Sequence, residues 1–312
     1  MENFESLANL LRVLGDPARL RLLATLDQGE LSVREITQVT GYSQPRVSRH
    51  LRVLSEAQLL KKTRDQNEIY YRTEIDEDHL CLVKEVLGSI IENDSVRTKD
   101  RKNLIAILAK RKIRAEKLLA HMGVRPFSQP EINEVGVALE SLLRKHIPGY
   151  DNDSTLGDLL DIGTGTGCML QLFGSRARRI IAIDQSRDMR LIARATVLSH
   201  GLASCTVQEG DMYNLTFPKG HFDIITIDRV LGAANDPLRV IAESRRVVKE
   251  GGHLMFVETS NIQESNPTLI EHIKSSGFHL LDLKPTKKGT AMVALAARIS
   301  GIQSSIRKNH DQ

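Results

Sequence analysis

The stretch LLDIGTGTGCM, residues 159–169, places three glycines at alternate positions directly after a short apolar run. Such a run is typical of a buried strand, and glycine is favoured where the backbone turns tightly or approaches a ligand. A dinucleotide fingerprint would need its third glycine at position 168, which is Cys168, and no Gly-Lys-Ser/Thr follows as in a P-loop. The stretch therefore predicts a strand-to-helix turn that serves a different ligand.

Strand-like apolar runs alternate with helical segments after residue 150. They read LGDLLDIG, RRIIAID, CTVQEGD, FDIITID and HLMFVE, and each ends at a glycine or an acid. Two further runs, FHLLDL and AMVALAARI, flank the turn sequence PTKKG. Alternating strands and helices favour parallel strands joined by crossovers, so we predict an α/β fold with one hairpin at the edge of its sheet.

Acidic side chains accompany the first three of these strands. Asp161 precedes the glycine turn, Asp184 ends the second strand, and Asp211 follows the third with Met212 beside it. Open α/β sheets bind ligands at the carboxyl ends of their strands. There, one carboxylate can accept hydrogen bonds from ribose hydroxyls and another from an adenine amino group. Taken together and in this order, the acids predict a nucleoside site rather than unrelated loop and cap residues.

These motifs resemble those of class I S-adenosylmethionine-dependent methyltransferases over roughly residues 135–300. The segment FDIITIDRVLGAANDPLRVIAESRRVVKEGGHLMFVE is especially similar to the fourth and fifth strands of the ubiquinone-biosynthesis-type branch. The resemblance implies a Rossmann-like sheet of seven mostly parallel strands, which binds S-adenosylmethionine or S-adenosylhomocysteine. It implies the amino-acid part of the nucleoside near Asp161 and Gly163, the ribose at Asp184 and the adenine at Asp211. The candidate cofactor-binding residues are Asp161, Gly163, Gly165, Gly167, Asp184, Gln185, Asp211, Met212 and Asp228.

The acceptor side departs from the pattern of active relatives. Relatives commonly carry His-His or His-Tyr after the fourth strand, where this chain has Gly232-Ala233-Ala234. Asp228 and Arg229 lie nearby, and a catalytic role, a salt-bridged loop or a contact to the methionine part all suit them. A single short helix is expected after the fifth strand, where many relatives insert a longer cover. Whether the chain is an enzyme stays open here, and its catalytic residues are unknown.

The amino-terminal part reads as short amphipathic helices interrupted by one strand pair around TRDQNE. Ser43 is a predicted N-cap, and Val47, Leu51 and Leu54 form one apolar stripe on the helix that follows. The predicted helices are Phe4–Leu14, Pro17–Leu26, Val33–Val39, Gln44–Ser55 and Asp78–Glu92, and the predicted strands are Leu59–Lys62 and Ile69–Arg72. The opposite helix face and the strand pair are basic and polar, which suits DNA. The candidate DNA-binding residues are Ser43, Gln44, Arg46, Ser48, Arg49, Arg52, Lys61, Lys62 and Arg64.

The run from PARLRLLATL to NEIYYR, with its element S-Q-x-x-V-S-R-H-L, resembles the winged helix-turn-helix of the ArsR/SmtB repressors. The resemblance implies a double-stranded DNA partner, a homodimer built by Phe4–Leu14 and His79–Ile91, and a pseudo-palindromic operator. Metal sensors of this family carry Cys-Val-Cys where the chain has Ser32, Val33 and Arg34. A hydroxyl and a guanidinium are poor ligands for soft cations, so we expect no metal.

Length and composition agree with two domains. The chain has 312 residues and a net charge of +4, with nine Lys/Arg against two acids from Arg97 to Lys117. Its three cysteines form no Cys-x-x-Cys pair, and no signal peptide or apolar span is evident, so a cytoplasmic protein is expected. The predicted parts are an α+β winged helix-turn-helix over 1–95, a basic helical connector over 96–148, the α/β methyltransferase-like domain over 149–300 and a polar tail over 301–312.

Two functional hypotheses follow. The first is a DNA-binding transcriptional regulator whose second domain binds the nucleoside and modulates operator binding, since a full set of cofactor motifs accompanies the absence of metal-binding thiols. The alternative is an active methyltransferase that acts on a small molecule and regulates its own operon through the DNA-binding domain.

Overall fold

The structure, a computed structural model, describes residues 4–75, 77–91, 93–151, 153–259 and 268–299. The chain divides into two compact units, the first formed by Met1–Val124 with Leu191–Gln208 and the second by Arg125–Arg190 with Glu209–Gln312. Each unit has its own cluster of buried apolar side chains. The predicted polar tail, residues 301–312, lies outside the described residues.

The first unit contains six helices and a small sheet in the described part of Met1–Val124. Its elements are α1 (Phe4–Leu14), α2 (Pro17–Leu26), β1 (Leu31–Ser32), α3 (Val33–Thr40), α4 (Gln44–Glu56), β2 (Leu60–Asp65), β3 (Glu68–Thr73), α5 (Glu77–Gly88) and α6 (Ser95–Met122). The three strands are ordered β1-β3-β2 and pair antiparallel. Both strands of the predicted pair exist and are longer than the sequence indicated. This is the predicted winged helix-turn-helix architecture.

Local sequence signals position the short helices α2, α3 and α4. Asp16 caps α2 through hydrogen bonds from two backbone amides, just ahead of Pro17. Ser32 and Glu35 form a reciprocal capping box at the start of α3, which ends at a left-handed Gly41. The apolar stripe of α4 is fully buried, so the opposite face of that helix is left to solvent.

Helix α6 shares the first core. Over its 28 residues it is mostly exposed, but Leu104 and Ile107 are buried in the same cluster as α2 and α3. The boundary between the two units falls after Val124, inside the segment that the sequence analysis treated as a connector over 96–148. The structure therefore divides that segment between the units, because its apolar positions in α6 pack on the helix-turn-helix core.

The remaining elements alternate as the sequence predicts. They are α7 (Gln129–His146), β4 (Asp158–Ile162), α8 (Cys168–Phe173), β5 (Arg179–Asp184), α9 (Arg187–Ser199), β6 (Cys205–Glu209), β7 (Phe222–Asp228), α10 (Pro237–Val247), β8 (Val248–Thr259), α11 (Leu269–Ser275), β9 (Phe278–Pro285) and β10 (Ala291–Arg298). By contacts, the end of α9 and most of β6 belong to the first unit.

The large sheet has seven strands in the order β6-β5-β4-β7-β8-β10-β9. Strand β4 pairs in parallel with both β5 and β7, and β7 pairs in parallel with β8. The last two strands form the antiparallel hairpin at the edge. The strand order reverses between β4 and β7, and ligands of open α/β sheets bind at the carboxyl ends of strands beside such a reversal. The Rossmann-like methyltransferase fold predicted from the sequence is confirmed.

Candidate functional site

The turn after β4 is built from three glycines in the left-handed region. Gly163, Gly165 and Gly167 have φ of 67°, 52° and 82°, conformations that L side chains rarely adopt. A Cβ at Gly163 would lie 2.5 Å from Cγ2 of Val230, so this glycine also permits close packing of the segment after β7. The turn is held by the amide of Thr164, which donates to the carbonyl of Ile183 at 3.0 Å. The glycines thus fix the shape of a loop beside the next strand.

Asp184, at the end of β5, ties this loop to the start of α9. Its Oδ2 accepts from the amide of Gly165 at 3.0 Å, and its Oδ1 accepts from the amide of Ser186 at 2.8 Å. Each carboxylate oxygen can accept more than one hydrogen bond, so both keep capacity for a ligand hydroxyl. The carboxylate is therefore oriented by backbone amides on both sides.

Gln185 and Asp211 join the same edge of the sheet. The side-chain amide of Gln185 donates to Oδ1 of Asp211 at 3.1 Å, and the amide of Tyr213 donates to the same oxygen at 2.8 Å. Met212 is half-buried and packs against the apolar cluster of the second unit. The structure thus brings together the glycine turn, Asp184, Gln185 and Asp211, as expected for residues at the carboxyl ends of adjacent strands.

Asp161 is buried directly below the turn, with 1% of its surface exposed. Its Oδ1 accepts from the hydroxyl of Thr226 at 2.7 Å, whereas Oδ2 is buried without a hydrogen bond of regular geometry among the described residues. Burial raises the pKa of Asp161 to about 7, and the nearby carboxylates Asp228 and Asp184 act in the same direction, whereas the Thr164 hydroxyl nearby lowers the pKa of this carboxyl. A buried acceptor that lacks a regular hydrogen bond costs free energy. A ligand that brings a donor to this oxygen would remove that cost.

Asp228 forms an ion pair with its neighbour. Arg229 Nε and Nη2 donate to the two Asp228 oxygens at 3.0 and 3.1 Å, and the Arg229 guanidinium lies 3.6 Å from the ring centroid of Phe127. Arg229 holds a φ of 56°, which is strained for a side chain of this size. Burial raises the pKa of Asp228, against the lowering effect of Arg229. Of the roles considered for this pair, the structure shows a salt-bridged loop.

Sequence reasoning missed Glu258 near the end of β8. It is buried, its Oε1 accepts from the amide of Gly232 at 3.1 Å, and burial raises its pKa. Its position at the carboxyl end of a parallel strand was a usable signal, because that is where site residues of such sheets lie. After β7 the chain forms a single 3-10 turn, Leu231–Ala233, so no polar side chain occupies the segment where relatives carry histidine.

The candidate DNA-binding residues all lie exposed on α4, on its N-cap or on strand β2. Some are held by neighbours: Arg46 stacks 3.9 Å from the ring centroid of Tyr42, Lys61 lies 3.4 Å from Glu74, and Arg64 donates to the carbonyl of Gln66 at 3.1 Å. Arg49 and Lys62 form no ion pair within the described residues. These two cations are therefore available to phosphates or base edges.

A buried charge cluster in the first unit was also missed. Arg194 of α9 is 1% exposed; its Nε donates to Glu30 at 3.0 Å and its Nη1 to Asp65, the last residue of β2. Its guanidinium lies 4.0 Å from the ring centroid of Tyr70. Burial raises the pKa of Glu30, although Arg194 opposes that shift. No local motif marks such a cluster, because its members are 35 to 164 positions apart along the chain.

Comparison with known proteins finds one family match in each of the two parts of the chain. The family described as bacterial regulatory protein, arsR family, matches residues 16–62, and the family described as methyltransferase domain matches residues 160–256. The chain carries an ArsR-type helix-turn-helix followed by a methyltransferase domain. Both resemblances inferred from the sequence are thereby confirmed.

Individual relatives match one part each. The biofilm growth-associated repressor of Xylella fastidiosa is 45% identical over 65 residues, which is 21% of this chain and 57% of that protein. The demethylmenaquinone methyltransferase of Thermobifida fusca is 35% identical over 111 residues, which is 35% of this chain and 47% of that protein. The chain thus spans about half the length of each of these curated relatives.

A solved structure is similar in the second part. A SAM-dependent methyltransferase from Aquifex aeolicus is 18% identical, with a TM-score of 0.42, and the match covers 56% of this chain and all of that one.

Within the residues that the structure describes, none of the helices has the length and apolar character needed to cross a bilayer.

Proposed function

We propose that the methyltransferase domain binds S-adenosylmethionine or S-adenosylhomocysteine and thereby changes the affinity of the helix-turn-helix for its operator. The observation that carries this proposal is the course of helix α9. The helix begins three residues after Asp184, within the second unit, and ends within the first, where Arg194 pairs with Asp65 at the end of a wing strand. Helix α9 thus starts close to the candidate ribose residue in the sequence and carries Arg194, which pairs with a strand that holds candidate DNA contacts.

The residues at the sheet edge fit such a nucleoside. The buried Asp161 Oδ2 lacks a hydrogen bond of regular geometry among the described residues, and an ammonium group of the amino-acid part would supply a donor. Asp184 retains acceptor capacity for ribose hydroxyls, and Asp211 would accept from the adenine amino group. Gln185 orients Asp211 through its amide. When bound, S-adenosylmethionine would supply an activated methyl group, and this chain's own residues orient the nucleoside through these acceptors.

The acceptor side supports sensing over catalysis. The turn Leu231–Ala233 carries no side chain able to take a proton, and the Asp228 carboxylate is already paired with Arg229. One observation favours the alternative of an active small-molecule methyltransferase: Glu258 is a buried carboxyl of raised pKa near this turn, as a general base requires. Incubation with methyl-labelled S-adenosylmethionine and a cell extract separates the two, because transfer of label to a metabolite would favour the enzyme.

We further propose a homodimer on a pseudo-palindromic operator. Helix α1 exposes Phe4, Leu7 and Leu11 at 95%, 41% and 49% of their surface. These positions share one face of the helix, and an apolar stripe of this kind is typical of an interface. Two-fold symmetry would set two copies of α4 about one helical turn of DNA apart.

The decisive test is a pair of titrations. Calorimetry with each nucleoside measures binding, and operator affinity is then measured with and without saturating nucleoside on a duplex that the wild-type chain selects from a random-sequence pool. A coupling of about 1–3 kcal/mol, which is about 5- to 150-fold in affinity, is the expected result. Equal operator affinities in all conditions would remove the regulatory proposal.

Substitution of Arg49 by alanine should weaken operator binding by about 1–3 kcal/mol, if the unpaired guanidinium reads a guanine edge. Lys62→Ala should instead weaken binding to all sequences alike and lower the salt dependence, as expected of a phosphate contact. Fluorescence anisotropy at several salt concentrations measures both effects. Lys102→Ala, an exposed cation on α6, is the control that should leave the affinity within about twofold.

Nucleoside affinity should depend on pH through Asp161. With a pKa of about 7 in the ligand-free protein, this carboxyl is mostly protonated at pH 5.5 and half ionised at pH 7. Only the ionised form pairs with an ammonium group, so affinity for S-adenosylhomocysteine should rise about tenfold over that range.

Because the folded-state pKa lies above the ordinary value of 3.8, the ligand-free protein should lose stability as pH rises from about 4 to about 7.

The matched variant Asp161→Asn cannot titrate at this position. It should bind the nucleoside weakly, with an affinity that stays flat from pH 5.5 to pH 7 by calorimetry. A slope in this variant equal to that of the wild type would assign the pH dependence to another group.

A further inference from the structure

A second cavity lies within the first unit, apart from the residues of the candidate nucleoside site. Its volume is ≈ 240 Å³, and it is lined by side chains from α3, β3, α6 and the middle of α9. The wall of α3 contributes Arg34, and α6 contributes Lys110 and Arg114 one turn apart. The cavity is therefore an open pocket lined by four elements of one unit.

Two of the cations in the wall are already neutralised. Arg111 makes a two-pronged ion pair with Glu35, with hydrogen bonds of 2.7 and 2.6 Å. Arg194 is held by Glu30 and Asp65 beneath the wall. The positive charges of Arg111 and Arg194 are therefore balanced within the protein, and their ion pairs hold the two side chains in place.

The other three cations have no such partner. Arg34, Lys110 and Arg114 are exposed at the cavity and form no ion pair within the described ranges. They face one further carboxylate, Glu68, which accepts a hydrogen bond from the hydroxyl of Tyr70. Three like charges at one concave site repel one another, and an anion of two negative charges relieves that repulsion.

The remaining wall is apolar. Tyr70 and Ile107 are buried, and Leu191 is half-buried at the cavity. A site with a few convergent polar groups over an apolar floor suits a small organic molecule rather than a bare ion. A volume of ≈ 240 Å³ accommodates a compact ligand of about ten non-hydrogen atoms.

We propose that this cavity binds a small organic dianion, a phosphate monoester or a dicarboxylate, as a second effector. Its charged end would lie among Arg34, Lys110 and Arg114, and its body against Tyr70 and Ile107. The ligand would bridge α3 and wing strand β3 to α6, so it would act on the helix-turn-helix through residues of the first unit. The concave shape and apolar floor favour a small organic molecule over the DNA backbone, because phosphates and sugars would leave the apolar floor without a contact.

The test uses the full chain and phenyl phosphate as the probe, titrated by calorimetry, with inorganic phosphate and the neutral phenol as comparisons. We expect saturable binding of phenyl phosphate that is at least about fivefold tighter than that of inorganic phosphate, and no binding of phenol. Arg34→Gln, Lys110→Gln and Arg114→Gln should each weaken the probe at least about fivefold. Because all three side chains are exposed, thermal melting should show these variants folded like the wild type.

Two controls keep the outcome interpretable. Lys112→Gln neutralises an exposed cation of α6 outside the cavity and should leave probe affinity unchanged. Asp184→Ala should also leave it unchanged, which separates this site from the nucleoside site. The proposal is overturned if the probe does not saturate, if Lys112→Gln weakens it as much as Lys110→Gln, or if the cavity variants weaken only DNA binding.

Discussion

Replacing Asp184 with alanine should abolish nucleoside binding, with a loss of at least about a hundredfold in affinity. A carboxylate that accepts two ribose hydroxyls makes charge-assisted hydrogen bonds worth about 1.5–3 kcal/mol each, so their joint loss is about 3–6 kcal/mol. The effect is compounded because Asp184 also orients the glycine turn through the Gly165 amide. Calorimetry with both nucleosides measures the loss, and basal DNA affinity should stay at the wild-type level.

Two further variants test whether the loss of nucleoside binding is specific to the Asp184 carboxylate. Asp184→Asn keeps one acceptor oxygen for the backbone amides, so the turn should survive while nucleoside affinity still falls. Glu250→Gln makes the same chemical change at an exposed acid of the second unit and should have no effect. Undiminished binding in Asp184→Ala would show that the second strand does not supply the ribose contact.

Removing the Arg194 charge should have the second large effect. Arg194→Met removes the guanidinium that pairs with the buried Glu30 and Asp65, and breaking a buried ion pair on one side costs about 3–5 kcal/mol. Denaturant unfolding of the full chain should show this loss in the transition that reports on the first unit. The proposed regulation adds a second expectation, that nucleoside still binds but no longer changes operator affinity.

A milder variant guards against simple misfolding. Arg194→Lys keeps the charge and loses the planar fork that reaches both acids, so it should fold with a reduced coupling between nucleoside and operator. Arg187→Met, at the exposed start of the same helix, should leave both stability and coupling intact. If both Arg194→Lys and Arg194→Met fold and the nucleoside still changes their operator affinity as in the wild type, Arg194 does not transmit the effect.

Much of the candidate site could be predicted from the sequence, because its residues follow strands in order. The runs ending at Asp161, Asp184 and Asp211 indicated parallel strands, and the carboxyl ends of parallel strands share one edge. The bounds of α2 were also predicted correctly, since Asp16 and Pro17 supply a cap and a first helical residue. The site assignments themselves remain predictions until nucleoside binding is measured.

Other features could not be read from the chain. The sequence showed Asp228 beside Arg229, but only the fold shows that the arginine turns back onto the carboxylate and stacks on Phe127. The sequence predicted a basic helical connector with Leu104, Leu108, Ala115 and Leu118 at roughly helical spacing, but that spacing does not show which surface the helix packs against. The burial of Leu104 depends on a helix-turn-helix core that the local pattern does not describe.

By itself, the sequence determined the two fold types, the order of their elements and the residue types at the carboxyl ends of the strands. These properties follow from periodicity, turn residues and capping, which act over a few positions along the chain. The tertiary structure alone decided that Arg194 meets Glu30 and Asp65, that Asp161 is left with an unmatched oxygen, and that three cations converge on one cavity. Those outcomes depend on which distant side chains share a low-dielectric interior, and neither propensity nor spacing encodes that.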